Sequence, residues 1–196
     1  MLNRVITPAP APGPIEMPAA IPTRRATLRE LRADDAAALS EQAGDYDIAK
    51  MTCTIPYPLP KVSAEIWLLL NQSARGRALQ FNYAICPHDS RELRGVVGVF
   101  QNRSGNWELG YWVSRAVWGQ GYATEAATAV IKAFTNAVGP ADLLAGVFVD
   151  NPASVRVLSK LGFKPTGRTD NLFSMARLKT VPGRQFIRES DHDPQS

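Results

Sequence analysis

The residues best placed to do chemistry form a turn near the middle of the sequence, Gly119-Gln120-Gly121. Before it, residues 107–113 alternate between two side-chain faces as a strand does, and after it residues 123–138 repeat apolar side chains at helical spacing. Glycine permits backbone bends, and the close approach of a ligand, that a Cβ would block. Because unpaired N–H groups and the positive end of a helix dipole meet at such a turn, the sequence predicts an anion-binding site.

Three interpretations of this turn compete. A Walker-type loop would need Lys-Ser or Lys-Thr after a spaced second glycine, and neither follows. A Rossmann turn would need a third glycine where Thr124 stands, although Asp150 does lie at the end of the next predicted strand, where that fold places an acidic residue. A turn without a ligand is the third possibility, and the glycines alone do not decide among them.

The elements ahead of the turn predict an antiparallel meander. The predicted strands cover 26–31, 78–86, 93–101 and 107–113, and the last three are joined by short turns. A short helix over 36–43, capped by Asp34 or Asp35, follows the first strand. A second helix is predicted from residue 60 or 61 to just before Gly76, and it carries its large aliphatic residues on one face: Val62, Ile66, Leu69 and Leu70.

Beyond the turn the pattern is helix, strand, helix. The long helix stops at the Gly-Pro pair 139–140, and the apolar run 143–150 predicts a strand buried on both faces. The Asn-Pro pair 151–152 then caps a helix that ends at Gly162. Two short strands are predicted near 163–168 and 172–179. The prediction is an α/β (α+β) domain whose mixed, mostly antiparallel sheet has one parallel crossover at the turn.

Length and composition favour a single globular domain. The chain has 196 residues, of which 45% are hydrophobic and 20% charged, and no apolar run is long enough to cross a membrane. Six prolines in the first 22 residues predict a disordered arm over 1–23 and exclude the apolar core of a signal peptide. The domain itself is predicted over 24–180, followed by a polar tail over 181–196.

Charge and cysteine content narrow the function further. The 22 basic residues are scattered among 18 acidic ones, which disfavours a nucleic-acid partner and is compatible with a phosphorylated cofactor. Cys53 and Cys86 form no CxxC motif, so neither a metal site nor a disulfide is indicated, and the cytoplasm is the expected compartment. A Cys53–His88 nucleophilic dyad is another enzyme hypothesis, although neither residue stands in a recognisable motif.

The segment VWGQGYATEA follows ELGYWV and precedes NPASVRVLSKLGF, and together these segments resemble the GNAT acetyltransferase superfamily, notably its Rim-type ribosomal-protein N-terminal acetyltransferases. The resemblance covers residues 24–180. It implies that the turn holds the pyrophosphate of acetyl-CoA through backbone N–H groups, and that Val113 and Asn151 contact the pantetheine arm. The implied N–H groups belong to Trp118, Gly119, Gln120, Gly121, Tyr122 and Ala123.

The turn departs from the superfamily pattern at its first position. Ala116 stands where a glutamine or arginine is usual, but backbone donors do most of the binding, so affinity should survive. Arg115, Arg156 or Lys160 could offset phosphate charge. Glu125 would repel a pyrophosphate, so it is interpreted as a structural partner of the loop.

Acetyl transfer to an amine needs a neutral amine, a polarised carbonyl and a departing thiolate. An α-amino group of pKa about 8 costs about 1.4 kcal/mol to deprotonate at pH 7, and a lysine costs about 4.6 kcal/mol. Glu108, on the strand that enters the turn, is the candidate base; an exposed strand glutamate without a catalytic role is the alternative. The Val113 N–H is the candidate for carbonyl polarisation.

The sequence has no counterpart of the tyrosine that many members of the superfamily use as the acid for thiolate departure. Aligning Asn151 and Gly162 places Leu158 at the tyrosine position. The resemblance to the Rim-type branch implies that Ser154 could assist instead, whereas hydrogen bonding within the first helical turn is its alternative role. A thiol of pKa about 8.5 is also a tolerable leaving group without help.

Motifs and chemistry together predict an acetyl-CoA-dependent N-acetyltransferase that acts on a primary amine in a ternary complex, without an acyl-enzyme. The Rim-type branch points to a protein N-terminus as the acceptor, and a small amine is the second choice. A non-catalytic acyl-CoA sensor is the alternative of a different class. Tyr57, Trp107 and Trp112 are candidates for the amine side. No metal and no membrane partner are expected, and both a monomer and a homodimer remain open.

Overall fold

The computed structural model describes residues 15–190 and confirms the predicted fold class. The strands are β1 Ala20–Pro22, β2 Ala26–Glu30, β3 Gln80–Pro87, β4 Gly95–Gln101, β5 Trp107–Val113, β6 Leu143–Phe148, β7 Lys164–Ser174 and β8 Lys179–Arg188. They form one sheet in the order β1-β2-β3-β4-β5-β6-β8-β7. Only β5 and β6 pair in parallel; the other neighbours are antiparallel.

The helices lie on both faces of this sheet. They are α1 Ala36–Ala43, α2 Tyr46–Ala49, α3 Lys61–Gly76, α4 Tyr122–Val138 and α5 Pro152–Lys160. Helix α4 begins after Gly121, whose φ of 82° is left-handed, and ends at Gly139. Helix α5 has the predicted cap, because the Asn151 side chain accepts a hydrogen bond from the Ser154 N–H at 3.0 Å.

The sheet separates two apolar layers. The larger layer packs α4 and α5 against one face and includes Trp107, which is 2% exposed between Phe81 and Phe134. The smaller layer packs α1 and α3 against the other face. Trp107 is therefore a core residue, and its predicted place on the amine side is wrong.

The sheet splits at its one parallel pair. Strands β5 and β6 are in register only where Glu108 faces Leu144. Beyond that pair, β5 continues to Val113 and β6 continues to Phe148, but the two strands no longer pair with each other. The two strands thus diverge toward the glycine turn, and their unpaired edges face a common gap.

The predicted arm and tail boundaries are wrong where the structure describes them. Strand β1 lies inside the predicted arm and pairs with β2. Strand β8 lies largely in the predicted tail, yet it pairs with both β6 and β7. Its Pro182 and polar residues hide the strand pattern, since mainly Val181, Gly183 and Phe186 turn inward. Residues 1–14 and 191–196 lie outside the described residues.

Two further elements differ from the sequence prediction. The strand predicted near 163–168 is the first part of β7, whose pairing with β8 shifts register between Pro165 and Thr169. The strand predicted near 172–179 is wrong, because these residues contain the end of β7, the turn 175–178 and the first residue of β8. Helix α3 has the predicted length, but its predicted apolar face points outward. The exposed fractions on that face are 58% for Val62, 53% for Ile66, 67% for Leu69 and 63% for Leu70. Ala64, Leu68 and Asn71 pack inward instead.

Candidate active site

A cleft of about 1480 Å³ runs along the gap between β5 and β6 and past the start of α4. Helix α3 and the loop after α2 form one wall, and α5 forms another. Most of the predicted site residues line it: Glu108, Trp112, Val113, Trp118, Gly119, Gly121, Tyr122, Ala123, Asn151 and Ser154. Gln120 and Tyr57 are not part of its lining.

The start of α4 leaves several backbone donors unused. No side chain caps this helix end. The N–H groups of Gly119, Gly121, Tyr122 and Ala123 donate to no acceptor within residues 15–190. Those of Trp118 and Gln120 already donate to carbonyls of the turn itself. Four of the six predicted donors therefore have no acceptor within these residues, and they converge at a helix N-terminus.

The two glycines keep the space in front of these donors clear. Both have left-handed backbones, with φ of 73° at Gly119 and 82° at Gly121. A Cβ at Gly119 would meet nothing within 4 Å, and a Cβ at Gly121 would lie 3.4 Å from Arg25 Nη2. A clear approach to unpaired N–H groups fits the pyrophosphate of a CoA molecule.

Arg25 ties the turn to the beginning of the domain. Its backbone N–H and its Nε donate to the two carboxylate oxygens of Glu125 at 2.8 and 2.7 Å. Its Nη1 donates to the Gln120 carbonyl at 2.6 Å, and its guanidinium lies 4.6 Å from the Tyr122 ring centre. Burial alone would raise the pKa of Glu125, but the hydrogen bonds from Arg25 lower it below its ordinary value. Glu125 is a loop partner, as predicted.

Of the three cations predicted to offset phosphate charge, one is already paired. Arg115 donates to Asp45 at 2.6 Å and also contacts Asp47. Arg156 and Lys160 lie exposed on α5 at the cleft, and neither forms an ion pair within residues 15–190. Positive charge for a phosphate is therefore available from α5 rather than from Arg115.

The end of β5 presents one open donor to the gap. The Ser114 N–H donates to the Arg94 carbonyl at 2.7 Å, so the N–H of Val113, one residue earlier in the strand, points the opposite way, toward β6. The Val113 carbonyl accepts a hydrogen bond from Trp118 Nε1 at 2.7 Å. The Val113 N–H is thus available for a ligand, whereas its carbonyl already has a donor.

Glu108 lies half-buried in the cleft with one of its oxygens engaged. Its Oε1 accepts a hydrogen bond from Asn102 Nδ2 at 2.7 Å. Cys53 lines the same cleft, and burial, reinforced by the charge of Glu108, raises the pKa of its thiol. His88 lines a separate cavity next to Arg29. The structure therefore separates Cys53 from His88, and the hypothesis of a nucleophilic dyad is wrong.

Ser154 is paired with a residue that the sequence did not single out, Tyr111. The two hydroxyl oxygens lie 2.8 Å apart, and the Tyr111 hydroxyl also lies 3.2 Å from the Ser154 carbonyl oxygen. Burial raises the pKa of Tyr111 to about 12, so its hydroxyl keeps its proton across the physiological range. Leu158, at the usual tyrosine position, is fully buried in the core.

The two aromatic residues predicted on the amine side separate in the structure. Trp112 lines the cleft and packs against the layer beneath α1 and α3. Tyr57 is 53% exposed and stacks edge-on against Tyr46, with ring centres 5.0 Å apart. The structure thus brings Trp112, but not Tyr57, into the same cleft as Glu108.

Arg177 contacts two residues of the cleft lining, Asp150 and Lys50, and the sequence analysis did not single it out. Its guanidinium donates to both oxygens of Asp150, at 2.8 and 3.2 Å, and its Nε donates to the Lys50 carbonyl at 2.8 Å. This hydrogen bonding lowers the pKa of Asp150. Asp150 is therefore a structural partner of the β7–β8 turn, and the mixed sheet excludes the Rossmann interpretation.

Fold and site together define the class of protein. A mixed sheet that splits at one parallel pair, beside a glycine turn at a helix start, forms a cleft suited to a CoA thioester and an amine. The family model described as "Acetyltransferase (GNAT) domain" matches residues 25–164. The chain belongs to the GNAT acetyltransferase family, which confirms the predicted superfamily and the predicted enzyme class, an acetyl-CoA-dependent N-acetyltransferase.

Proteins with a similar sequence or a similar structure support this assignment. The uncharacterized N-acetyltransferase p20 of Bacillus licheniformis is 27% identical over 148 residues, which are 74% of this chain and 82% of that protein. RimJ of Mycobacterium smegmatis, solved in complex with CoA-disulfide, superposes with a TM-score of 0.75 at 20% identity over 90% of each chain. A ribosomal-protein alanine acetyltransferase of Vibrio fischeri gives 0.75 at 16% identity, over 88% of this chain and 97% of its own. At these identities the two structures establish the fold.

Residues 15–190 bear on two kinds of possible partner, a membrane and a metal ion. None of the helices there is long and apolar enough to cross a membrane. No group of three or more His, Cys, Asp or Glu side chains within the same residues is arranged to hold a metal ion.

Proposed function

We propose that this chain transfers the acetyl group of acetyl-CoA to a primary amine, and that this amine is a protein N-terminal α-amino group. The observation that carries the proposal is the placement of unpaired N–H donors and a carboxylate in one cleft. The donors at Gly119 and Gly121 suit a pyrophosphate, while Glu108 stands on the strand that leads to them. The names of the ribosomal-protein acetyltransferases among the similar structures support a protein acceptor.

The cofactor is held by the turn and by α5. The N–H groups of Gly119, Gly121, Tyr122 and Ala123 bind its pyrophosphate, and the side chains of Arg156 and Lys160 add positive charge. Asn151 and the Val113 N–H contact the pantetheine arm and the thioester region. When bound, acetyl-CoA supplies an activated acyl group in the form of a thioester.

Glu108 prepares the amine for attack. Its Oε1 is engaged by Asn102, which leaves Oε2 to accept a proton from the incoming ammonium group directly or through water. The Val113 N–H, which points into the gap, donates to the acyl oxygen as negative charge develops on it. In this proposal the amine attacks the thioester directly, without an acyl-enzyme.

Ser154 and Tyr111 assist the leaving group. The Tyr111 hydroxyl keeps its proton and can donate it either to the Ser154 carbonyl oxygen or to Ser154 Oγ. In the proposed arrangement the Ser154 hydroxyl turns its own proton toward the departing sulfur. In this step the N–C bond forms and the C–S bond breaks with its electron pair on sulfur. Two protons leave the amine in all. Glu108 passes the first, taken from the ammonium group, to solvent water, and it then accepts the second from the attacking nitrogen as the C–S bond breaks. Ser154 therefore stabilises a thiolate by hydrogen bonding and need not transfer a proton to it.

Calorimetry of acetyl-CoA binding and a thiol-release assay test the proposal together. The assay should use peptides with free N-termini and, in parallel, small alkylamines. We expect binding, and thiol release with at least one peptide. Absence of binding would overturn the proposal. Binding without thiol release on any amine would instead identify a non-catalytic acyl-CoA sensor, and release on small amines alone would move the acceptor to that class.

A further inference from the structure

Two side-chain carboxamides lie unpaired on the acceptor side of the cleft. Gln80 and Asn82 stand two residues apart on β3, so both face the side of the sheet that α3 covers. Both line the cleft and are half-buried, and neither side chain forms a hydrogen bond within residues 15–190. Neither carboxamide is among the buried polar groups without a partner, so both keep access to solvent and can exchange a hydrogen bond to water for one to a ligand.

Glycines in the neighbouring strands let Asn82 lie across the sheet toward Glu108. Asn82 pairs with Gly98 on β4, and Gly98 pairs with Gly110 on β5. A Cβ at Gly98 would lie 1.9 Å from Asn82 Oδ1, which means that the carboxamide occupies the space above this glycine. Because Gly98 has no side chain, the polar end of Asn82 reaches over β4 toward β5.

Asn82 and Glu108 stand on the same face of the sheet, two strands apart. Glu108 lies two residues before Gly110, so it is a diagonal neighbour of Gly98 at about 7–8 Å between Cα atoms. The Asn82 carboxamide lies over Gly98, so it faces the same part of the cleft as Glu108. A polypeptide whose α-amino group is held at Glu108 can continue along this face toward Asn82.

The opposite wall of the cleft presents apolar side chains to such a peptide. Ile66 and Leu70 on α3 line the cleft although they are 53% and 63% exposed, and Trp67 lies between them in sequence. The exposed parts of Ile66 and Leu70 are apolar surface that the described chain does not cover, whereas Trp67 packs partly against the smaller layer. They offer contacts to uncharged side chains at the beginning of an acceptor polypeptide.

Building on the proposed function, we propose that Asn82 is a specificity residue that hydrogen-bonds the first peptide unit of the acceptor. The enzyme then distinguishes the N-terminus of a protein from a small alkylamine by this contact. A small amine can reach Glu108, but it carries no peptide group for Asn82. Loss of the Asn82 carboxamide should therefore lower kcat/KM for peptide acceptors more than for small alkylamines.

The test compares Asn82→Leu with wild type on two acceptors, a peptide with a free α-amino group and uncharged first residues, and a small alkylamine. Asn82→Leu has nearly the same shape but cannot hydrogen-bond, so kcat/KM for the peptide should fall about tenfold, mainly through KM. The value of kcat/KM for the alkylamine should change less than about twofold, since this acceptor makes no hydrogen bond to Asn82. Asn171→Leu is the matched control, because Asn171 lies exposed on β7 outside the cleft lining.

The outcomes separate this inference from the proposed function. If Asn82→Leu lowers kcat/KM equally for both acceptors, or does not lower it for the peptide, the role of Asn82 is overturned while N-terminal acetylation stays in place. A wild-type enzyme that acetylates only the alkylamine would also overturn it, with amine acetylation retained. No thiol release on any acceptor would remove both. Calorimetry with acetyl-CoA checks that Asn82→Leu is folded, because the cofactor side does not include Asn82.

Discussion

Helices α3 and α4 have nearly the same length, 16 and 17 residues, and both carry large apolar side chains at helical spacing. Helix α4 buries them, and its Phe134 is 1% exposed. Helix α3 does the reverse: Leu69 is 67% exposed, while Asn71 points inward and its Nδ2 finds no acceptor within residues 15–190. The face of the sheet that α4 covers is thus filled by buried side chains, whereas α3 on the other face leaves apolar surface uncovered by the described chain.

The largest expected effect is the difference in unfolding free energy between a variant in the core face of α4 and a variant on the exposed surface of α3. Phe134→Ala should cost about 3–5 kcal/mol of unfolding free energy, because it removes a ring that packs 4.8 Å from Trp107. Leu69→Ala should stay within about 0.5 kcal/mol, since most of its side chain already faces solvent. Urea unfolding of both variants checks this contrast. Similar losses for both variants would mean that the two helices pack alike.

The cofactor side can be disrupted at the turn. Gly121→Val should weaken acetyl-CoA binding roughly 100-fold or more, because a β-branched residue disfavours a φ of 82° and fills the space before the N–H donors. Titration calorimetry measures the change. Gly105→Val is the matched control, since Gly105 has a similar φ of 78° in open space away from the cleft. If the control loses binding equally, the effect comes from backbone strain and the turn is not the anion site.

The acceptor side is tested through Glu108. Glu108→Gln should lower kcat/KM for a peptide by about 100-fold near pH 6 and much less near pH 9, where an α-amino group of pKa about 8 is already neutral. Affinity for acetyl-CoA should not change. Glu65→Gln, on the exposed surface of α3, serves as the control. A loss that is the same at every pH would remove Glu108 from the role of base.

The smallest expected effect concerns the contact that anchors the turn. Because the pKa of Glu125 is lowered in the folded protein, its contribution to stability is present above the ordinary value of 4.5 and is lost as pH falls through the lower folded value. Glu125→Gln should therefore cost about 1–2 kcal/mol at pH 7 and progressively less in acid. Thermal unfolding from pH 7 down to pH 3 measures this, with Glu41→Gln on α1 as control. A difference that persists at pH 3 would contradict the ionic contact with Arg25.

Much of the site was predictable because its signals are local. The glycine turn, the start of α4 and the Asn151 cap all depend on backbone conformations that a few neighbouring residues set. The same locality explains the errors. Strand β8 depends on hydrogen bonds to β6 and β7 rather than on its own apolar pattern, and Pro182 within it resembles a loop residue. The outward face of α3 likewise depends on which side meets the sheet.

The sequence by itself determined the strand, the turn and the two helices that frame the cofactor, since periodicity and capping act over a few residues. Only the tertiary structure decided which side chains complete the site. Arg25 and Glu125 meet across 100 positions of sequence, and Tyr111 reaches Ser154 across 43. Asn82 gains its direction from a glycine on the next strand. Such contacts depend on how distant segments pack, and that arrangement is specified by the whole core rather than by any one motif.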